Sequence, residues 1–74
     1  MELDHDSDEP LYLQLAAILR AQIESGELTG RLPSVKSLCQ EYGVSHVTAE
    51  KSIGVLRDEG LIRVRIGKGA YVAK

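Results

Sequence analysis

The chain has no tryptophan and no phenylalanine, and three tyrosines are its whole aromatic complement. Its 74 residues must therefore build a core from aliphatic side chains. The single cysteine, Cys39, excludes an internal disulfide and fits a reducing, cytoplasmic compartment. With the two histidines it cannot supply the four ligands of a structural zinc site, so no metal is expected. No apolar run approaches the ~20 residues of a membrane span. The polar, acidic N-terminus is unlike a signal peptide, and no membrane partner is expected. The "GKG" at 67–69 is too short to be the Gly-x4-Gly-Lys-Ser/Thr cradle of a nucleotide site. Neither a Ser/His/Asp order nor a convincing carboxylate pair stands out. The sequence thus offers no catalytic residues and implies no cofactor.

Net positive charge is missing as well: the formal charge is -2. It is unevenly spread. Residues 1–9 carry Glu2, Asp4, Asp6, Asp8 and Glu9 with no Lys or Arg. They read as a flexible acidic tail, since few apolar groups and mutual repulsion leave nothing to fold around. Residues 10–74 hold all nine basic residues against six acids, a net charge of +3, and read as one domain. At its C-terminal end, 60–74 has Arg63, Arg65, Lys68 and Lys74 with no acid. For an anionic partner such a distribution matters more than the sum, although a solvated basic end has the same composition.

Local punctuation is strong. Pro10 suits the start of a helix, where its missing N–H is no loss, and Asp8 and Glu9 favour the positive end of the helix dipole. Leu11, Leu15, Ile18, Leu19 and Ile23 then recur at helical spacing up to about Ser25, and Gly26 is a stop. "GELTGR" is a turn and Arg31-Leu32 a brief extended piece. After Pro33, Ser34 is the N-cap of a second helix whose apolar face is Val35, Leu38, Cys39 and Tyr42. Cys39 on that stripe is a small core residue. Gly43 and Val44 alone separate this helix from the next cap, Ser45. A third helix runs from about His46 to Glu59, and Gly60 stops it. Helix, tight Gly-containing turn and helix make a helix-turn-helix. Beyond Gly60 the period becomes two: in "LIRVRI" Arg63 and Arg65 lie between apolar positions, "GKG" turns, and "AYVA" completes a β-hairpin. Tyr12 and Tyr71 read as core or domain-edge aromatics. The expected fold is mainly α with a C-terminal β-hairpin, a winged helix-turn-helix of three helices plus wing.

The third helix carries the candidate site. At about 100° per residue, Ala49, Ser52, Ile53 and Leu56 form its core face. Val47, Lys51 and Gly54 lie opposite, flanked by His46 and Glu50. The second helix of such a motif enters the major groove of DNA with its N-terminal residues at base edges, and the wing lies along the backbone or in the minor groove. Lys51 is a candidate base or phosphate contact. Val47 can meet a thymine methyl, or equally a partner protein. Ser45 and Thr48 are placed for phosphates, with capping an equally good reason for Ser45. Glu50 is awkward. It can accept from a cytosine amine, orient His46 (its i, i+4 neighbour) and Lys51, or stand solvated and repel phosphate. We prefer the second of these. Gly54 in mid-helix costs about 1 kcal/mol against Ala, through tolerance or to let a backbone come close. In the wing, Arg65 is a backbone-contact candidate, while Gly67 and Lys68 sit at the tip, where glycine also serves the turn.

The run "PLYLQL…LRAQIESGEL…RLPSVKSL…YGVSHVTAEKSIGVLRDEGLIRVRIGKGAYV" resembles the N-terminal DNA-binding domain of GntR-type (gluconate-repressor-like) bacterial transcription regulators, over residues 10–73. The resemblance implies a winged helix, double-stranded operator DNA as partner, a nucleoid-associated location, usually a homodimer, and no enzyme chemistry in this domain. A small-molecule effector would enter only through a further domain outside this chain. Lys36 matches a family phosphate or base contact. Departures are clear: the loop after "SGEL" is shortened to "TG", Val35 and Lys36 replace the usual Glu and frequent Arg, and His46 and Glu50 stand where arginines are common. Most members continue into an effector domain, so the chain reads as an excised domain or a stand-alone short regulator. The expected function is sequence-specific DNA binding in transcription regulation, as a repressor. The alternative is a winged-helix protein-interaction module with weak or no specific DNA binding, favoured by the replaced arginines, Val47 and the acidic tail.

Overall fold

Three helices precede a two-stranded antiparallel hairpin: α1 (Leu11–Ser25), α2 (Val35–Tyr42), α3 (His46–Asp58), β1 (Ile62–Arg65) and β2 (Gly69–Val72). The computed structural model describes residues 3, 6, 8–65, 67 and 69–73. Each helix end has a local cause. The Pro10 carbonyl accepts from the Leu13 and Gln14 amides at 3.1 and 3.2 Å and starts α1. Ser34 and Ser45 cap α2 and α3 by accepting from the amides of Ser37 and Thr48, at 3.1 and 3.2 Å, which satisfies one orphan donor in each helix. Gly26 and Gly43 close α1 and α2 in the left-handed region, at φ 82° and 67°, where a Cβ would be strained.

The expected apolar faces meet in one core. Leu15, Ala16 and Leu19 of α1, Leu38 of α2, Ala49 and Leu56 of α3 and Ile62 of β1 pack together, joined by Leu32 and Val44 from the connections. α1 lies mainly against α3, which also touches α2 and β1. Ser52 is fully buried among these groups. Its hydroxyl donates to the Ala49 carbonyl at 2.7 Å, so no buried side-chain polar atom among the described residues is left unpaired.

β1 and β2 pair with Ile62 opposite Val72 and Arg65 opposite Gly69. The brief extended piece at Arg31 joins them. Arg31 bridges Tyr71 in antiparallel fashion, the Val72 amide donates to the Gly30 carbonyl at 2.7 Å, and the Leu32 amide donates to the Ala70 carbonyl at 2.9 Å. β2 therefore lies between β1 and residues 30–32, and the wing is rooted in the segment that leads into α2.

In one place the strand pattern misleads. Alternation puts Val64 on the same side as Ile62, yet Ile62 is buried while Val64 is 48% exposed. Val64 faces an open groove beside α2 and α3 instead of the closed core, so its inward side is only partly covered. Upstream of α1, Leu3 packs partly buried against the core and the Gln14 side-chain amide donates to the Glu9 carbonyl at 2.8 Å. Residues 1, 2, 4, 5 and 7 of the acidic segment lie outside the described residues. Among the described residues no helix is long and apolar enough to cross a membrane.

Arg20 joins α1 to the end of α3. Its Nε and Nη2 donate to the two carboxylate oxygens of Glu59 at 2.8 and 2.7 Å. The hydrogen bond from Glu59 is the main reason the guanidinium pKa rises above its usual value, with the Glu59 charge adding to it and slight burial opposing it.

Candidate nucleic-acid interface

The Gly43-Val44 turn fixes α2 and α3 relative to each other, because Val44 is buried in the core while Gly43 takes the left-handed conformation. The inner face of α3 is then committed: Ala49, Ser52 and Leu56 are fully buried. The outer face turns to solvent. Val47 is 59% exposed, Lys51 is exposed and Gly54 half-buried. At the start of α3 the Ser45 hydroxyl accepts the Thr48 amide and donates to the Thr48 hydroxyl at 3.0 Å. Capping thus occupies Ser45, and the amides of the first turn add the positive end of the α3 dipole to this surface.

His46 and Glu50 meet one turn apart, with Nε2 3.2 Å from Oε1, and both side chains are mostly exposed. That nitrogen is turned to Glu50, leaving Nδ1 for any other partner. Lys51 goes elsewhere: its ammonium lies 5.6 Å from the centre of the Tyr12 ring on α1, within cation–π range. Glu50 therefore contacts one of the two side chains we expected it to orient.

Val47, Glu50, Lys51 and Gly54 line one groove with Val35 of α2, Arg57 and Asp58 at the far end of α3, Val64 and Gly69 of the wing, and Arg31. The groove unites the outer face of α3 with the wing, as a winged helix requires. Lys36 is exposed in the first turn of α2 and Arg65 is exposed at the end of β1; neither lines the groove. Gly67 is exposed at φ 77°. Lys68, the expected tip cation, lies outside the described residues.

Tyr12, Arg31 and Arg57 also line the groove and were not among the expected contacts. Tyr12 and Arg31 stand in the "PLY" and "RLPS" segments of the resemblance, the only signal that marked them. Arg57 stands 3.6 Å from Asp58 through Nε. No group of three or more His, Cys, Asp or Glu among the described residues could hold a metal ion.

Comparison with known proteins decides the family. The profile of the bacterial regulatory proteins of the gntR family matches residues 11–72, nearly the whole chain. The chain belongs to the GntR family. Among its relatives, the HTH-type transcriptional repressor NagR of Bacillus subtilis (strain 168) is 33% identical over all of this chain and 31% of its own length. YtrA from Sulfolobus acidocaldarius, a GntR-family transcription factor, superposes with a TM-score of 0.85 at 38% identity, covering 100% of this chain and 64% of that one. The AraR DNA-binding domain in complex with operator ORE1 gives a TM-score of 0.85 at 32% identity, covering 96% of this chain and 89% of that domain. This chain spans less than a third of the curated relatives it matches, so the GntR match describes one domain of such proteins.

Proposed function

We propose that this GntR-family chain is a sequence-specific DNA-binding domain that represses transcription by occupying an operator. The observation that carries the reading is the solvent-facing side of α3. It presents Val47, Lys51 and Gly54 beside the wing on a fold that matches, over nearly its whole length, a domain solved on operator DNA. α3 enters the major groove with His46, Val47, Glu50 and Lys51 toward base edges. Ser45, Thr48 and Lys36 face the phosphates beside it. Arg65, Gly67 and Lys68 bring the wing to the backbone or minor groove. Glu50 sets the orientation of His46 and so acts on base choice through its neighbour. The chain works without a cofactor and without catalytic chemistry, in the cytoplasm at the nucleoid. On DNA it works as a homodimer, with half-sites about one helical turn apart. Residues 1–9 form an acidic tail beside the 10–74 domain.

The test is selection from a random duplex library at two salt concentrations. A palindromic site should be enriched, with log affinity falling against log salt at a slope near -0.9 per phosphate contact. Binding no tighter than the non-specific range of roughly 10⁻⁴–10⁻⁶ M, with no site enriched, would favour a protein-interaction module. The exposed valines Val47 and Val64 are the observation on that side.

A further inference from the structure

We infer that Arg31 is a phosphate-backbone contact, held at the foot of the wing by Gly69 so that it grips the DNA strand passing between α3 and the hairpin. The inference rests on the DNA-binding reading above and adds to it a site on an element outside both the helix-turn-helix and the hairpin.

The backbone at Arg31 is fixed on both sides. Gly30 and Leu32 each hydrogen bond to β2, at 2.7 and 2.9 Å, and Leu32 is buried in the core. The side chain has a fixed bed as well. A Cβ built on Gly69 would stand 3.2 Å from Arg31 Nε and 3.4 Å from Nη2. The guanidinium thus lies across a wing position that has no side chain to push it away. Gly69 itself sits at φ 100°, in the region that favours glycine.

The cations that line the groove are not equally available. Arg57 stands beside Asp58 and Lys51 is stacked on Tyr12. Arg31 is exposed, and no ion pair or side-chain hydrogen bond engages its guanidinium among the described residues. A planar fork of five donors without an acidic partner suits two oxygens of a phosphate. Its backbone and bed already hold it in place, so little further freedom is lost on binding. Its position between the base-reading helix and the wing is where a duplex strand passes when α3 lies in the major groove and the wing in the neighbouring minor groove. A phosphate contact is blind to sequence, which sets it apart from Lys51 and His46.

The experiment compares wild type, Arg31→Ala and Arg31→Gln on the selected duplex and on a random duplex across a salt series, with thermal unfolding as a folding control. We expect both variants to weaken both duplexes by a similar factor, about tenfold. Each should make the salt slope shallower by about 0.9, the share of one phosphate, and leave the enriched sequence unchanged. Gly69→Ala, which displaces the guanidinium, should weaken binding in the wild-type background and much less in the Arg31→Ala background. Backbone strain is common to both arms of that cycle and cancels. Wild-type binding with a salt slope that neither Arg31 variant alters overturns the inference and leaves the DNA reading intact. Loss confined to the selected duplex makes Arg31 a base reader and also overturns it. Wild type that binds no duplex at any salt removes the DNA reading, and the inference with it.

Discussion

The two faces of α3 are made of the same thirteen residues and obey opposite rules. Ala49, Ser52 and Leu56 on the inner face are fully buried, and each is specified by volume. Ser52 is tolerated there only because its hydroxyl donates to the Ala49 carbonyl one turn back. Val47, Glu50, Lys51 and Gly54 on the outer face touch little of the domain itself. What contacts they have run sideways, from Glu50 to His46 and from Lys51 to Tyr12. Inner positions thus carry stability, and outer ones are free to carry recognition. The comparison teaches that a Glu where arginines are common is no obstacle to the fold. It alters only the outer face, where it meets a histidine instead of the core.

Breaking the inner face should have the largest effect. Leu56→Ala removes a fully buried side chain and should lower stability by about 2–5 kcal/mol. In a domain this small that approaches the whole of its stability, and chemical denaturation at fixed temperature would show it. An outer-face change should do the reverse. Lys51→Ala should leave the unfolding midpoint nearly unchanged and weaken binding to the selected duplex by about 1–3 kcal/mol if Lys51 meets a base edge, as read by titration at one salt concentration. Unchanged binding would take Lys51 off the interface.

Gly54→Ala sharpens the comparison further, because it should move the two properties in opposite directions. Among the described residues and outside the backbone of α3 itself, a new Cβ would meet only Arg57 Nη2 at 3.9 Å, an ordinary contact. Stability should therefore rise by about 0.5–1 kcal/mol from helix propensity, while DNA affinity falls if the helix backbone closely approaches the duplex. A variant that is stabler and binds equally well would show that Gly54 is merely tolerated. The smallest effect is expected at the joint between α1 and α3. Glu59→Gln should cost about 0.2–1 kcal/mol, since the bidentate pair with Arg20 is partly exposed. Added salt should shrink the difference from wild type.

Much of this arrangement was legible in the residue order, for a physical reason. Ser34, Ser45, Gly26 and Gly43 act on backbone groups three or four residues away, so caps and stops can be read from neighbours alone. The apolar stripes of α1, α2 and α3 are equally local, and they meet as expected. What escaped the sequence are contacts between distant segments. Arg20 and Glu59 are 39 residues apart, the Tyr12–Lys51 contact links the first helix to the third, and Arg31 meets Gly69 across about half the chain. No spacing rule connects such residues; only the docking of one element on another does. Val64 shows the converse. Its alternation is correct as a statement about the side of the strand, but whether that side is covered depends on what packs against it.

The bridge between Arg31 and Tyr71 bears on the order in which the chain is made. Helices α1 to α3 contain their own start and stop signals. The link preceding α2 cannot acquire its sheet partner until Ala70 and Val72 have followed. A nascent chain halted before residue 70 would hold α3 while the segment feeding α2 still lacked its clamp. Residues 70–72, some forty positions further along the chain, thus set the entrance to the helix-turn-helix.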